Sequence, residues 1–341
     1  MDVGRMYLTQ RRFITVNALL LVLLLGSLAL AALVGSVHVD LARALTAGMP
    51  DNADRVILFD TRLPRVLLAA VVGGALAIAG AALQGLLRNP LAEPHLIGIS
   101  GGAALGAVIA IIAGGRSALT ESALLPLGAA SGALVSMAVI YRLAQVHGRL
   151  QPYVLLLAGV VYNAFAGALI MCVNAIADFY QAHGILFWLM GSLGTQSYRL
   201  VVTIGLYTAI GAGWLMLRTR QLNLLTLGDD AALQLGVDVD RARRAIFIAA
   251  SLLVGAVVSV SGMIGFVGLI VPHIMRLILG ADHRLLLPAS LLAGAIFLVW
   301  ADTIARTALG AVEIPVGVVT ALCGGPFFVY LLKREGRKLF G

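Results

Sequence analysis

Ser100 lies in a sequence context typical of a catalytic nucleophile. Residues 98–102 fit the G-x-S-x-G pattern of serine hydrolases, and His273, in another apolar segment, is a possible general base. Such a pair would give an intramembrane serine protease. A nucleophile elbow requires a strand-to-helix turn, however, and this glycine-rich stretch predicts the entrance of a helix instead. The protease therefore stays a distant alternative from another functional class.

The chain lacks the residue patterns needed to hydrolyse a nucleotide or to bind a metal. Its two lysines, Lys333 and Lys338, lie in the C-terminal tail, outside any G-x-x-x-x-G-K-[ST] pattern. The six histidines stand singly, without a partner at i+3 or i+4, and the two cysteines have no metal-ligand spacing. We therefore predict that the chain has no catalytic residue and binds no cofactor or metal. ATP and Mg²⁺ would belong to a separate subunit.

Long apolar stretches dominate the 341 residues, of which 60% are hydrophobic and 12% charged. Residues 66–87 contain no formal charge, and as a helix they would rise about 33 Å, the thickness of a bilayer core. The stretches leave no room for a sizeable soluble domain. We therefore predict an all-α polytopic membrane protein with one transmembrane domain over residues 1–341.

The apolar windows predict ten transmembrane helices. Residues 245–275 carry no charge and are too long for one crossing, so we divide them near Gly262. The predicted ranges are 14–34, 63–85, 95–115, 122–141, 153–177, 200–217, 244–262, 264–280, 285–303 and 314–332.

The basic residues predict the orientation. With a cytoplasmic N-terminus, 17 of the 24 Lys and Arg residues fall on the cytoplasmic side and 7 on the other. This excess predicts that both termini are cytoplasmic. The net charge of +8 is then a topology signal and not a nucleic-acid footprint, because no loop concentrates it with aromatic residues.

No predicted span carries a charged side chain at its middle. An ion-driven carrier normally keeps a titratable group there, despite a cost of roughly 2.5–3.5 kcal/mol. A secondary transporter is therefore disfavoured, and the driving force is expected to come from another subunit.

The cytoplasmic loop 218–244 offers a surface for such a subunit. Apolar leucines alternate there with four aspartates, and Gly228 and Gly236 are helix stops, which predicts one or two short amphipathic helices. Leucines exposed on a short helix favour a partner groove. A helix lying on lipid is the alternative, which four acidic residues near an anionic leaflet disfavour.

Eight segments, in this order, resemble the permease subunits of ABC importers for iron chelates, haem and cobalamin. They are 62–65 (RLPR), 84–94 (QGLLRNPLAEP), 188–194 (WLMGSLG), the 218–244 loop, 265–273 (GFVGLIVPH), 280–284 (GADHR), 301–306 (ADTIAR) and 315–317 (PVG).

The resemblance implies a ten-helix permease built from two inverted five-helix halves. The expected partners are a second copy of the chain, two ATP-binding subunits, a periplasmic substrate-binding protein and membrane lipid, with no nucleic acid. The implied function is import of an iron complex, a ferric siderophore or haem, across a bacterial inner membrane. Cobalamin is the alternative cargo. The residues do not choose among these cargoes.

The resemblance also assigns roles to residues. Arg62, Arg65 and Arg306 match arginines that dock the binding protein, and we expect them at a water-exposed rim. Lipid anchoring is the alternative for them. Asp302 lies four residues before Arg306, so an intrahelical pair is expected.

Three further sets of residues follow from the resemblance. The predicted cytoplasmic gate is Asn89, Pro90, Leu91 and Ala92. The predicted ATPase coupling residues are Leu224, Leu225, Gly228, Leu233, Leu235, Gly236 and Val237. The predicted pathway residues in the fifth helix are Gly159, Asn163, Gly167 and Asn174.

Overall fold

The computed structural model describes residues 8–46, 52–115, 123–194, 197–310 and 312–340, with side chains beyond Leu331 described at Lys333 alone. Residue 122, where the fourth helix was predicted to begin, lies outside these ranges. The described residues form helices joined by short turns, and their only strands are two two-residue segments in one hairpin, β1 (Gln145–Val146) and β2 (Arg149–Leu150).

Ten helices correspond to the predicted spans. They are α1 (Gln10–Leu33), α4 (Leu63–Leu87), α5 (Ile99–Gly114), α6 (Leu125–Leu143), α7 (Pro152–Ile176), α9 (Tyr198–Met216), α12 (Val239–Ser261), α13 (Val267–Leu279), α14 (His283–Thr307) and α15 (Val316–Phe340).

Seven of these segments are long and apolar enough to cross a membrane, and α5, α13 and α15 contribute shorter apolar stretches. The prediction of an all-α polytopic membrane protein is confirmed. The inverted repeat stays a prediction.

Five shorter helices connect or extend the spans. They are α2 (Leu41–Leu45), α3 (Ala53–Arg55), α8 (Phe179–Leu189), α10 (Thr219–Leu225) and α11 (Asp229–Gln234). A π-helical segment, Val56–Arg62, joins α3 to α4 and makes one helical segment of 35 residues, Ala53–Leu87. This span therefore begins before the predicted residue 63, and α8 was not predicted.

The break predicted near Gly262 is confirmed. Helix α12 ends at Ser261, and Gly262 has a φ of +66°, a left-handed conformation that favours glycine. Phe266 also has a positive φ, of 68°, directly before α13. The charge-free run therefore turns back on itself instead of crossing once.

Helix α4 lies at the centre of the fold and packs against α9, α12, α13 and α14. Its close neighbours explain its glycines. A Cβ on Gly73 would lie 2.3 Å from the carbonyl oxygen of Gly294, and one on Gly80 would lie 2.0 Å from that of Gly268. Small residues thus bring the backbones of α4, α13 and α14 into contact, as is common between membrane helices.

Candidate functional site

Five charged side chains meet where α4 begins and α14 ends. This group, the outer cluster, comprises Arg62, Arg65, Asp302, Arg306 and Glu313. The Asp302 carboxylate is fully buried and lies 3.0 Å from the Arg65 guanidinium and 3.0 Å from that of Arg306. The predicted intrahelical pair between Asp302 and Arg306 is therefore present. Three arginines against two carboxylates leave one net positive charge.

The outer cluster also fastens the end of α1. Arg306 donates to the carbonyl oxygens of Ala31, at 3.1 Å, and Val34, at 3.3 Å. Arg62 donates to the carbonyl oxygens of Leu33, at 3.0 Å, and Val37. The last carbonyl groups of a helix have no partner within it, so the guanidinium groups of neighbouring helices supply the missing donors.

The expectation that the three arginines lie at a water-exposed rim is wrong. Arg62, Arg65 and Arg306 are 5%, 8% and 5% exposed, because each guanidinium is used inside the chain. Glu313 is the accessible member, with 56% of its side chain exposed, and it accepts a hydrogen bond from Arg65 at 2.8 Å. Arg65 is therefore the arginine that a partner could reach most directly, because a partner group could take the position of the exposed Glu313 carboxylate.

The predicted gate residues form a tight turn after α4. Arg88 ends the helix with a φ of 49°. The side-chain oxygen of Asn89 then accepts from the amide of Leu91 at 2.9 Å, and its carbonyl accepts from the amide of Ala92 at 3.1 Å. Pro90 is exposed at the tip. This turn, residues 88–92, has the geometry of an Asx turn, which local sequence explains.

Glu93 joins the gate turn to the break between α12 and α13. Its buried carboxylate accepts a hydrogen bond from the amide of Phe266, the residue in the left-handed conformation. Pro94 packs on Gly268, where a Cβ would lie 2.6 Å from the proline ring. A movement of the gate turn would therefore also act on the entrance of α13.

The loop 218–244 contains two short helices, as predicted. Helices α10 and α11 have seven and six residues, and Gly228 and Gly236 follow them with positive φ values of 117° and 80°. Isolated helices of this length are marginal in water, so the loop depends on its contacts with the bundle.

The predicted coupling residues divide into buried and exposed members. Leu225 and Val237 are buried and anchor the loop, whereas Leu233 and Leu235 are 55% and 54% exposed. Leu224 is half-buried. Leu227 is exposed as well. The exposed leucines of the loop, Leu227, Leu233 and Leu235, are here called the leucine patch.

Asp229 ties α11 to the gate turn and to α12. Its carboxylate accepts from Arg88, the residue directly before Asn89, and from Arg243 at 2.6 Å. Arg88 also donates to the carbonyl oxygen of Leu225 at 2.6 Å. Arg243 is buried in α12. We call Arg88, Asp229 and Arg243 the inner cluster.

A second set of contacts ties α10 to the start of α14. Asn223 donates to the Asp282 carboxylate at 2.8 Å and accepts from the backbone amide of His283 at 2.8 Å. Burial raises the pKa of Asp282, but hydrogen bonds from Arg284 and Asn223 outweigh it and lower that pKa to about 2. Asp282 is therefore ionised at neutral pH and holds both partners.

The predicted pathway residues lie on one stripe of α7. Gly159 and Asn163 pack within the chain, because a Cβ on Gly159 would lie 2.7 Å from the backbone of Ile97 and Asn163 donates to the carbonyl oxygen of His95 at 2.8 Å. Gly167 has open space beside its Cα atom. The Asn174 side-chain oxygen is buried and has no hydrogen-bond partner among the described residues. Whether any of the four lines a pathway stays a prediction.

Ser100 lies in the first turn of α5. A 3₁₀ turn, Pro94–Ile97, and Gly98 lead into this helix. A nucleophile elbow requires a strand at that position. The serine is 3% exposed. The protease alternative loses its structural basis.

Asn223, Asp229 and Glu93 belong to the site but were not among the residues predicted for it. The partners of Asn223 and Glu93 are 59 and 173 residues away along the chain. Asp229 has one partner 141 residues away and another 14 residues away. The spacing of residues along the chain does not predict hydrogen bonds between such distant residues. The one local signal is the position of Asp229 directly after the stop at Gly228, where a carboxylate suits a helix N-terminus.

Comparison with known proteins gives a consistent result. The model of the FecCD transport family matches residues 19–334. The hemin transport system permease HmuU of Yersinia pestis is 42% identical over 329 residues, which cover 95% of each chain. The cobalamin import system permease BtuC of Halobacterium salinarum is 44% identical over 305 residues, which cover 87% of this chain and 79% of that protein.

A solved structure matches as well. It is described as an inward-facing conformation of a metal-chelate type ABC transporter, and it covers 94% of this chain and 99% of its own, with a TM-score of 0.82 and 32% identity. The fold described above is therefore that of a polytopic ABC permease.

Proposed function

The chain belongs to the FecCD transport family, whose members are permease subunits of ABC importers, and we propose that it carries an iron complex, haem in the first place, into the cell. The supporting observation is the match to a hemin permease along 95% of both chains. A ferric siderophore is the second member of the same cargo class.

Cobalamin is the alternative cargo. Several cobalamin permeases are similar to this chain, including BtuC of Halobacterium salinarum at 44% identity and BtuC of Vibrio vulnificus at 39% over 94% of the chain. Identity at this level does not separate the two cargo classes, because the contacts that select cargo are few compared with those that maintain the fold.

The test is transport in proteoliposomes that contain this chain, its ATPase and its binding protein. Haem, a ferric siderophore and cobalamin are compared with and without ATP. ATP-dependent accumulation of haem supports the proposal, and accumulation of cobalamin alone replaces it with the alternative. Uptake of any cargo driven by an ion gradient without ATP contradicts the importer mechanism.

The proposed assembly contains two copies of this chain, two ATP-binding subunits that hold ATP and Mg²⁺, and one periplasmic binding protein. It lies in the bacterial inner membrane with both termini in the cytoplasm, as the distribution of basic residues indicates. The outer cluster then faces the periplasm, and the 218–244 loop faces the cytoplasm.

We propose the leucine patch as the surface that contacts the ATPase. Leu227, Leu233 and Leu235 are exposed on a loop whose other leucines are buried or half-buried. An apolar surface on a water-exposed loop is favourable when a partner covers it.

The inner cluster is proposed to transmit ATPase movement to the gate. Arg88 is the first residue of the gate turn and is held by both Asp229 and the carbonyl oxygen of Leu225. A displacement of α11 would therefore pull on Asn89–Ala92 through one side chain. Arg243 would transmit the same displacement to α12.

Docking of the binding protein is proposed to act through exchange at Arg65. A carboxylate of the binding protein would replace the exposed Glu313, because both groups seek the same guanidinium edge. Arg62 and Arg306 would contribute by holding α1 and Asp302 in place. Their own donors are already used within the chain.

A further inference from the structure

A narrow apolar groove runs along the surface of the bundle between α9 and α12. Its volume is about 440 Å³, and apolar atoms form nearly all of its wall. Gly211 forms the floor, because a Cβ there would lie 2.6 Å from a methyl group of Leu253. Both helices are long and apolar enough to span a membrane, so the groove lies at membrane depth.

Each wall of the groove ends in an arginine on the side of the 218–244 loop. The wall residues recur every three or four positions, so they share one face of each helix. On α9 they are Tyr207, Gly211 and Trp214, and on α12 they are Ile248 and Leu252. The same spacing leads on each side to an arginine, Arg218 just beyond the end of α9 and Arg244 on α12.

The two arginines have no carboxylate partner among the described residues. The Arg218 guanidinium lies 4.8 Å above the Trp214 ring and donates to the Gln221 side chain at 3.2 Å. Arg244 is exposed and donates to the carbonyl oxygen of Asp240. Their neighbours Arg241 and Arg243 both form ion pairs. The charges at the mouth of the groove are therefore available to an external anion.

We propose that this groove binds an anionic phospholipid, with one acyl chain between α9 and α12 and the phosphate between Arg218 and Arg244. Guanidinium groups bind phosphate through charge-assisted hydrogen bonds, and basic sites between membrane helices attract anionic headgroups. Trp214 lies one turn inside Arg218, at the level where tryptophan favours the membrane interface. The proposal depends on the predicted orientation of the chain but not on its cargo.

Other occupants fit the groove less well. An ATPase subunit is confined to water and cannot reach Tyr207 or Leu252 within the bilayer. A second copy of the chain would have to cover the apolar wall and also bring carboxylates to Arg218 and Arg244, because burying unpaired charges is costly. An anionic phospholipid covers the apolar wall with its acyl chain and also pairs its phosphate with the two arginines.

The test is native mass spectrometry of the full chain released from nanodiscs that contain equal amounts of phosphatidylglycerol and phosphatidylcholine. We expect the chain to retain one phosphatidylglycerol per protomer in preference to phosphatidylcholine. In the double variant Arg218→Gln/Arg244→Gln, the preference for phosphatidylglycerol over phosphatidylcholine should fall about tenfold, which corresponds to about 1.4 kcal/mol. Ala245→Phe, which fills the mouth without changing charge, should lower retention of both lipids.

The matched control is Arg11→Gln/Arg142→Gln. It removes two exposed arginines from the same side of the protein, away from the groove, and should bind lipid as the unmodified chain does. Equal retention of the two lipids by the unmodified chain would overturn the proposal. So would equal losses in the control and the groove variant, or dissociation of a dimer by Ala245→Phe without loss of lipid.

Discussion

The outer and inner clusters both combine arginines with a shared carboxylate, but they differ in what surrounds that carboxylate. Asp302 in the outer cluster is fully buried, and the guanidinium groups around it also satisfy the end of α1. Asp229 in the inner cluster has 41% of its side chain exposed and lies on a six-residue helix. This difference is the basis of the proposal that the outer cluster acts as a fixed clamp and that the inner cluster transmits movement.

The energetic consequence follows from burial. Removing one partner of a buried ion pair costs about 3–5 kcal/mol, because the other charge is left without compensation. Exposed pairs contribute about 0.2–1 kcal/mol, because water replaces the lost partner. Loss of the Asp302 carboxylate, which is buried together with both of its arginines, should therefore destabilise the fold more than loss of the Asp229 carboxylate, which is partly exposed although its partner Arg243 is buried.

The largest effect is expected for Asp302→Asn. Arg65 and Arg306 would both lose their shared carboxylate, and the free energy of unfolding should fall by about 3–5 kcal/mol. Thermal unfolding in detergent measures this loss. Glu313→Gln, which changes an exposed carboxylate of the same cluster, is the control and should shift stability by less than about 1 kcal/mol. Equal losses of stability in the two variants would contradict the distinction between the buried carboxylate of Asp302 and the exposed carboxylate of Glu313.

The next effect concerns the leucine patch. Leu233→Asp or Leu235→Asp should abolish most ATP-driven uptake without lowering stability, because each leucine is more than half exposed in the isolated chain. Gln234→Asp adds the same charge between them without removing a leucine, and it should transport normally. If either leucine variant transports as well as this control, the patch is not the contact with the ATPase.

A smaller effect is expected at the docking surface. Arg65→Gln should weaken affinity for the binding protein several-fold and reduce the salt dependence of docking. Glu313→Gln should strengthen docking, because it removes the group that competes for Arg65. Affinity measured at low and high salt with the permease in nanodiscs distinguishes these results. Unchanged affinity in both variants would leave the outer cluster a structural clamp alone.

The smallest effect is the pH dependence of the contact between α10 and α14. The pKa of Asp282 is lowered from 3.8 to about 2, so its stabilising contribution is fully present above about pH 4 and is lost as the pH falls through about 2. The stability difference between the unmodified chain and Asp282→Asn should therefore be constant above pH 4, fall below it, and vanish only below about pH 2. A difference that already declines near pH 6 would contradict this assignment.

The sequence predicted the spans well because a span is identified by the mean hydropathy of about twenty consecutive residues. A run of twenty apolar residues identifies a membrane helix wherever its neighbours lie, and Gly262 marked the break between α12 and α13 by its residue type. Helix α8 was missed because its 11 residues are shorter than any spanning window. The π-helical extension before α4 carries no composition signal.

The sequence predicted where the site residues lie along the chain, but it did not predict which of their side chains are buried. Arg62, Arg65 and Arg306 were located by resemblance, yet sequence alone could not show that the carbonyl groups of α1 occupy two of them. Leu225 and Leu233 look equivalent in the sequence, but one is buried and the other exposed. Asp229 was indistinguishable from Asp230 until the fold brought Arg88 and Arg243 to it.

Asp229→Asn tests most directly the claim that the inner cluster transmits movement to the gate. The measurement is the number of ATP molecules hydrolysed per cargo molecule transported, in proteoliposomes that contain the complete importer. Asp230→Asn is the control, because the adjacent exposed Asp230 makes no ion pair within the described part of the chain. Asp229→Glu tests rescue by a longer carboxylate.

We predict that Asp229→Asn keeps its ATPase activity but transports about tenfold less cargo, a loss of about 1.4 kcal/mol in coupling, while Asp230→Asn behaves as the unmodified chain and Asp229→Glu recovers part of the transport. An unchanged ratio of ATP to cargo in Asp229→Asn would contradict the account. Absence of ATP-driven uptake in the unmodified importer would instead refute the proposed function itself.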